Sequence, residues 1–297
     1  MIVPAKIKQG DKIGIVAPAR FINPEQYESI CQFIEKQGFV PVLGDTAHLE
    51  HNIFAGTDAA RAADLQQMID NPEIRAILCV RGGYGCIRMV DGVNFRPLRR
   101  RPKWISGFSD ITVLHSALSA VGVASIHGQM PVNFTSDNTS ASELFDVMQG
   151  RMPQYNFSGT GNREGTAKAV VAGGNLAVLC SIIGTQYQTD WAGKILFIED
   201  VGEPLYRIDR MMQQLRHANL LKDLAGLVVG YFTDAEDSTP SFGMTVNEIV
   251  IDAVAGYDYP VAFGFPAGHQ QPNYPLVFGR KACLTVNSAD ASLNYVS

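Results

Sequence analysis

The feature that most limits the fold is a series of short, continuously apolar segments separated by helix-like stretches between Lys12 and Gly128. KIGIVAPA (Lys12–Ala19), FVPVL (Phe39–Leu43), AILCV (Ala76–Val80), WISGF (Trp104–Phe108) and VASIHG (Val123–Gly128) read as strands. A helix is expected to begin near Pro24 and end before Gly38, and Asp58 is placed to cap another through ARAADLQQMI. Strands that are apolar on both faces and alternate with helices mean βαβ units, hence a parallel sheet covered on each side in three layers. Ligands of such sheets bind beyond the carboxyl ends of the strands, so the residues after Val80 and Phe108 carry the most information.

The remainder of the chain changes texture. GRMPQYNFSGTGNREG is polar and glycine-rich, and reads as a link over residues 151–165 between an α/β domain, 1–150, and a second domain, 166–297. In the second domain KAVVAGG, KILFIED and AGLVVGYF look like strands, LYRIDRMMQQLRHAN and TVNEIVIDAVAGY like amphipathic helices, and KACLTVNS like a short alternating strand. A mixed α+β or barrel-like arrangement is expected there. Two domains suit 297 residues, and 46% apolar residues supply two cores, which excludes an intrinsically disordered chain.

A formal charge of −5 gives no general attraction to nucleic acid or anionic membranes. The cluster Arg96, Arg99, Arg100, Arg101 and Lys103 reads as a solvated loop. The start of the chain lacks the basic-then-apolar pattern of a signal peptide. The longest uncharged stretch, Ala169–Thr189, is broken by Gly173, Gly174 and Asn175, so no membrane span is expected. Five scattered cysteines without a C-x-x-C pair point to a reducing, cytoplasmic compartment.

Phosphate-loop and H-E-x-x-H zinc motifs are missing. Two turns stand out instead. Arg81-Gly82-Gly83-Tyr84-Gly85 follows the third strand, where closely spaced glycines let the backbone turn and present free N–H groups, either to an anion or merely in a tight connection. Ser109, in GFSDIT, stands between the fourth strand and a helix. That is the placement of a nucleophile elbow, although Ile111 replaces the second glycine of G-x-S-x-G, and a plain helix cap is the competing reading. A serine nucleophile needs a base and an acid to orient it. Among six histidines, His127 at a strand end and His269 in a loop are the candidates; Glu199 and Asp200 at the end of KILFI are the candidate acids. Glu203 and Arg207 lie beside them, as substrate contacts or as an i,i+4 pair. Thiol chemistry at Cys79 or Cys86, which flank the glycine turn, is a weaker alternative.

Taken together, GDKIGIVAPA, RGGYG, GFSDIT, HGQM, GGNLAVL, FIEDVGEPLYRIDRMMQQL and GFPAGHQQPNYPLVFG, in that order along nearly the whole chain, resemble the LD-carboxypeptidases. This serine peptidase family includes muramoyltetrapeptide carboxypeptidases and microcin C immunity peptidases. The resemblance implies Ser109 as nucleophile, Glu199 as acid, His269 as base, and the backbone amides of Gly83 and Asp110 as oxyanion donors. It implies an α/β domain followed by a smaller β-rich domain, with the active site formed from both. It also implies a homodimer and no metal or cofactor. Within the family, one branch removes D-alanine from murein tetrapeptides in cell-wall recycling, and the other cleaves aminoacyl-nucleotides with help from a stacking aromatic. The short segment before Glu199 offers only Trp191 and Tyr187 for stacking, which favours the murein substrate. A non-catalytic carboxylate-binding protein on the same scaffold is the alternative from another class.

Overall fold

A computed structural model describes residues 1–296, which fall into two compact units. The first comprises Met1–Met152 and Tyr274–Gly279; the second comprises Pro153–Asn273 and the tail from Arg280.

In the first unit the chain runs β1 (Lys12–Val16), α1 (Pro24–Lys36), β2 (Val40–Leu43), α2 (Asp58–Asp70), β3 (Ile74–Cys79), α3 (Cys86–Met89), β4 (Trp104–Gly107), α4 (Thr112–Ala120), β5 (Ser125–His127) and α5 (Asn138–Met148). Pro24 starts α1, its fixed φ suiting a first helical position, and the Gln26 side chain accepts from the Asn23 N–H at 3.1 Å. The cap of α2 is Thr57, not Asp58: the Thr57 hydroxyl accepts from Ala60 N–H at 3.2 Å. Asp58 instead pairs with Arg61 and Arg88.

The second unit contributes β6 (Gln154–Ser158), β7 (Gly165–Asn175), α6 (Leu176–Ser181), β8 (Lys194–Val201), α7 (Leu205–His217), β9 (Gly226–Thr233), α8 (Val246–Ala253) and β10 (Val261–Phe263). The chain then returns to the first unit for β11 (Leu276–Phe278) before β12 (Lys281–Val286) and β13 (Asp290–Tyr295) complete the second.

The first sheet has the order β2-β1-β3-β4-β5-β11. All neighbours are parallel except β11, which runs antiparallel to β5 with Leu276 opposite His127. The parallel reading of the first domain therefore holds, with an added edge strand from the far end of the chain. The reversal of strand order at β1 places the topological switch point between β1 and β3.

The second sheet is open, in the order β10-β9-β8-β7-β12-β13-β6, rather than a barrel. β7 to β10 are parallel, and β12, β13 and β6 are antiparallel. One physical reason accounts for both halves: helical crossovers separate β7, β8, β9 and β10, whereas β12 and β13 are joined by a tight turn. The stretch 151–165 is more than a link, since β6 within it pairs with β13. Its alternation, with Tyr155 and Phe157 buried and Gln154, Asn156 and Ser158 exposed, is that of an edge strand half in the core. Helix α7 buries Ile208, Met211, Met212 and Leu215, one apolar stripe at helical spacing. That stripe packs with Leu196, Ile198, Ile249 and Trp191 into one apolar cluster. Among the described residues no helix is long and apolar enough to cross a membrane.

Candidate active site

Strand β4 delivers Ser109 onto a sharp turn. Gly107 has φ +159°, and a Cβ there would stand 2.8 Å from Ile111 Cγ1, so the turn needs a glycine. Ser109 itself has φ +63°, a left-handed conformation that costs a residue with a Cβ about 1–2 kcal/mol. A helix-capping serine would instead have extended backbone and accept a hydrogen bond from two or three residues on. Ile111 stands at that flanking position of α4, without a side-chain cap, so the capping alternative for Ser109 does not describe the structure.

The glycine turn lies against this elbow. A Cβ on Gly82 would come 3.3 Å from Ser109 Cβ and 3.4 Å from the Asp110 nitrogen. Gly83 has φ +107°. The Asp110 carboxylate, buried, accepts from Cys86 N–H at 2.8 Å and so ties the elbow to the start of α3. Burial raises the Asp110 pKa, and the Cys86 bonds and the cations Arg61 and Arg20 offset part of that rise.

Two further residues steady these turns. The fully buried Arg61 donates to the carbonyls of Pro18, at 2.5 Å, and Gly85, at 2.9 Å. His115, on α4, lies 2.9 Å from the Gly107 carbonyl through Nε2 and 2.8 Å from the Ser125 hydroxyl through Nδ1. A carbonyl only accepts, so Nε2 carries the proton. Burial lowers the ring's pKa to about 4 against that hydrogen bond, leaving it neutral at pH 7. His127 is fully buried, with ring centroids of Phe108 and Phe278 each 5.7 Å away, and is a packed core histidine. Cys79 and Cys86 are also buried, and desolvation drives both thiols far above their ordinary pKa, which removes them as nucleophiles.

In the second unit β8 separates the two candidate acids. Successive residues of a strand point to opposite faces. Asp200 turns toward the start of α6, accepting from Asn175 Nδ2 at 2.8 Å and from the Ala177 N–H at 2.9 Å. Burial pushes its pKa up to about 6 despite these bonds. Glu199 takes the other face, fully buried, and its Oε2 lies 2.7 Å from His269 Nδ1. Gly268, at φ +132°, lets the loop pass so close that a Cβ would be 3.0 Å from Glu199 Oε2. Asn273, buried, accepts from the Gly268 N–H at 3.0 Å and holds the loop in place. Burial works to lower the His269 pKa, but the hydrogen bond and charge of Glu199, with Asp200 adding to them, outweigh it, and the net shift is upward from 6.5.

Glu203 and Arg207 form an i,i+4 ion pair of 3.1 Å at the start of α7. Trp191 is buried in the apolar cluster against the helices. The sequence reading did not single out Arg61, His115 or Asn273. An arginine inside an apolar helical pattern and a histidine one turn beyond the elbow were the only signals for the first two. Nothing local marks Asn273.

Residues 13–128 match the family model described as the LD-carboxypeptidase N-terminal domain, and residues 168–284 match that of the LD-carboxypeptidase C-terminal domain. A probable murein peptide carboxypeptidase of Bacillus subtilis (strain 168) is 33% identical, over 95% of this chain and 91% of that protein. Among solved structures, a muramoyltetrapeptide carboxypeptidase from Oxalobacter formigenes has a TM-score of 0.89 at 25% identity, covering 96% of this chain and 99% of its own. The microcin C7 self immunity protein has a TM-score of 0.86 at 20% identity with both chains fully covered, a likeness of fold.

Proposed function

This chain belongs to the LD-carboxypeptidase family and is a serine carboxypeptidase, and on that premise we propose that it removes the terminal D-alanine from murein tetrapeptides, cutting after the L-centre of diaminopimelate. The observation that carries the catalytic assignment is the buried Glu199 carboxylate on His269 Nδ1, which leaves Nε2 as the working nitrogen of a base.

His269 Nε2 takes the proton of Ser109 as its oxygen attacks the scissile carbonyl. The amides of Gly83 and Asp110 hold the oxyanion. His269 then gives the proton to the leaving nitrogen of D-alanine. Water, deprotonated in turn by His269, hydrolyses the acyl-enzyme, releasing the tripeptide and restoring Ser109. Ser109 stands on the elbow in a left-handed conformation, and Asp110 ties the elbow to the start of α3 beside the glycine turn. Glu203 and Arg207, paired with each other at the start of α7, are candidates for substrate contact as well as for support of that helix.

The aminoacyl-nucleotide alternative needs an aromatic free to stack on a base. Trp191 is in the core and already engaged, which leaves Tyr187, half-buried and accepting from Gln186 Nε2 at 3.2 Å, as the aromatic of that segment. The five free cysteines fit a cytoplasmic enzyme of murein recycling, and the family resemblance adds a homodimer. The test is mass spectrometry of a murein tetrapeptide incubated with the wild type and with Ser109→Ala. Wild type releases D-alanine, and the variant loses on the order of 10⁴–10⁶ in kcat. Equal release by both proteins would exclude Ser109 as nucleophile, and release by neither would exclude the substrate.

A further inference from the structure

An exo-acting peptidase has to recognise the free carboxylate that defines the end of its substrate. In a peptide that carboxylate is separated from the scissile carbonyl only by the scissile nitrogen and one α-carbon, so its receptor has to lie beside the oxyanion site. A cleft of the first unit lies beside the glycine turn proposed to hold the oxyanion. Its volume is about 450 Å³ and its lining includes Arg20, Asn23, Asn52 and Arg81, with no acidic residue. Arg20 lies beyond β1 and Arg81 beyond β3. These are the two strands that flank the switch point, where open α/β sheets bind ligands.

Arg20 is seated directly on the glycine turn. A Cβ on Gly83 would stand 2.7 Å from Arg20 Cδ and 2.9 Å from its Nε. That Nε is buried and has no hydrogen-bond partner among the described residues. Neither Arg20 nor Arg81 forms a salt bridge among the described residues; the contact of Arg81 Nη1 with the Phe21 carbonyl, at 3.5 Å, is long. Burying a guanidinium nitrogen without an acceptor is costly, and a fork of N–H donors matches a carboxylate. Arg61, which is fully buried, also has an Nε without a hydrogen-bond partner among the described residues, while its Nη atoms are taken up by the Pro18 and Gly85 carbonyls and by Asp58.

We propose that Arg20 and Arg81 form the subsite for the terminal carboxylate, and that this subsite makes the enzyme a carboxypeptidase rather than an endopeptidase. The proposal rests on the tetrapeptide reading above and names what recognises the leaving residue. It also gives Gly83 a second duty: its missing Cβ leaves room for Arg20 as well as allowing the turn.

The test compares kcat/KM for a tetrapeptide ending in D-alanine with that for the same peptide ending in D-alaninamide, using wild type, Arg20→Gln, Arg81→Gln and Arg81→Lys. Wild type is expected to favour the acid about 10²-fold, the scale of one charge-assisted hydrogen-bonding interaction. In Arg20→Gln and Arg81→Gln that ratio falls toward 1, and Arg81→Lys retains part of it. Arg81 is exposed, so its variants test the idea even if Arg20→Gln fails to fold. A uniform loss on acid and amide alike would make both arginines merely structural and overturn the proposal, as would an unchanged ratio. If wild type cleaves neither peptide, the tetrapeptide reading falls and the subsite falls with it.

Discussion

At His269 two opposing effects decide when the ring can act as a base. Burial favours the neutral imidazole, while Glu199 favours the imidazolium, and the carboxylate prevails. A base must be deprotonated to accept the serine proton, so the acidic limb of kcat/KM is expected at a pKa above 6.5, with activity rising as pH rises through it. In Glu199→Gln the charge is gone and burial remains. The limb then moves downward, and the rate falls by on the order of 10⁴, as when the acid of a Ser-His-Asp triad becomes an amide. A pH profile of both proteins checks the sign, and an unmoved limb would mean that a different group titrates. The same reasoning separates Glu199 from Asp200. Both were legible as acids at a strand end, but their opposite faces give one a histidine and the other a helix start.

Helix ends and turns show how local chemistry sets the position of the groups proposed to act in catalysis. The start of α2 matters because Arg61, in its first turn, reaches back to the Gly85 carbonyl beside the glycine turn. Thr57→Ala removes the hydroxyl that accepts from Ala60 N–H, and is expected to cost about 1 kcal/mol. For a protein of this size that is a fall in Tm of about 2–4 °C, read by calorimetry. A larger loss would mean that the cap is coupled to the Arg61 network. The sequence reading put this cap one residue late because Asp and Thr are both good caps. What separates them is that Asp58 faces two arginines, one of them from α3, which no local pattern reveals. At the elbow, the strand-to-helix placement of Ser109 was legible, while its left-handed φ was not, since G-x-S-x-G is incomplete here.

On the scale of the whole molecule, the chain visits the first unit twice. β11 covers the edge of β5, pairing Val277 with Ile126 and Phe278 with Ser125, and Phe278 packs on His115 as well as on His127. A fragment of residues 1–152 would leave β5 as an unpaired edge with these rings uncovered. It is expected to aggregate or to melt without a cooperative transition, and supplying residues 274–279 through a flexible linker should restore cooperativity. A soluble 1–152 fragment with a sharp thermal transition would show that β11 is dispensable. The same return of the chain explains why a division at 166–297 reads as natural in sequence. Composition changes once, near Gly150, whereas the six residues that go back are too few to change it.

What the sequence by itself determined is the content of each element and the residue types at each strand end. Hydrophobic period, glycine spacing and caps act over a few residues, and these are enough for a parallel βαβ sheet, a glycine turn after β3 and a serine after β4. The tertiary structure alone decided which distant groups meet. It set His269 rather than His127 on a carboxylate, inserted β6 and β11 into sheets formed mainly by other parts of the chain, and seated Arg20 over Gly83. Those outcomes depend on strand order and on which face of a strand a residue occupies, and both are settled by burial of the whole apolar surface at once.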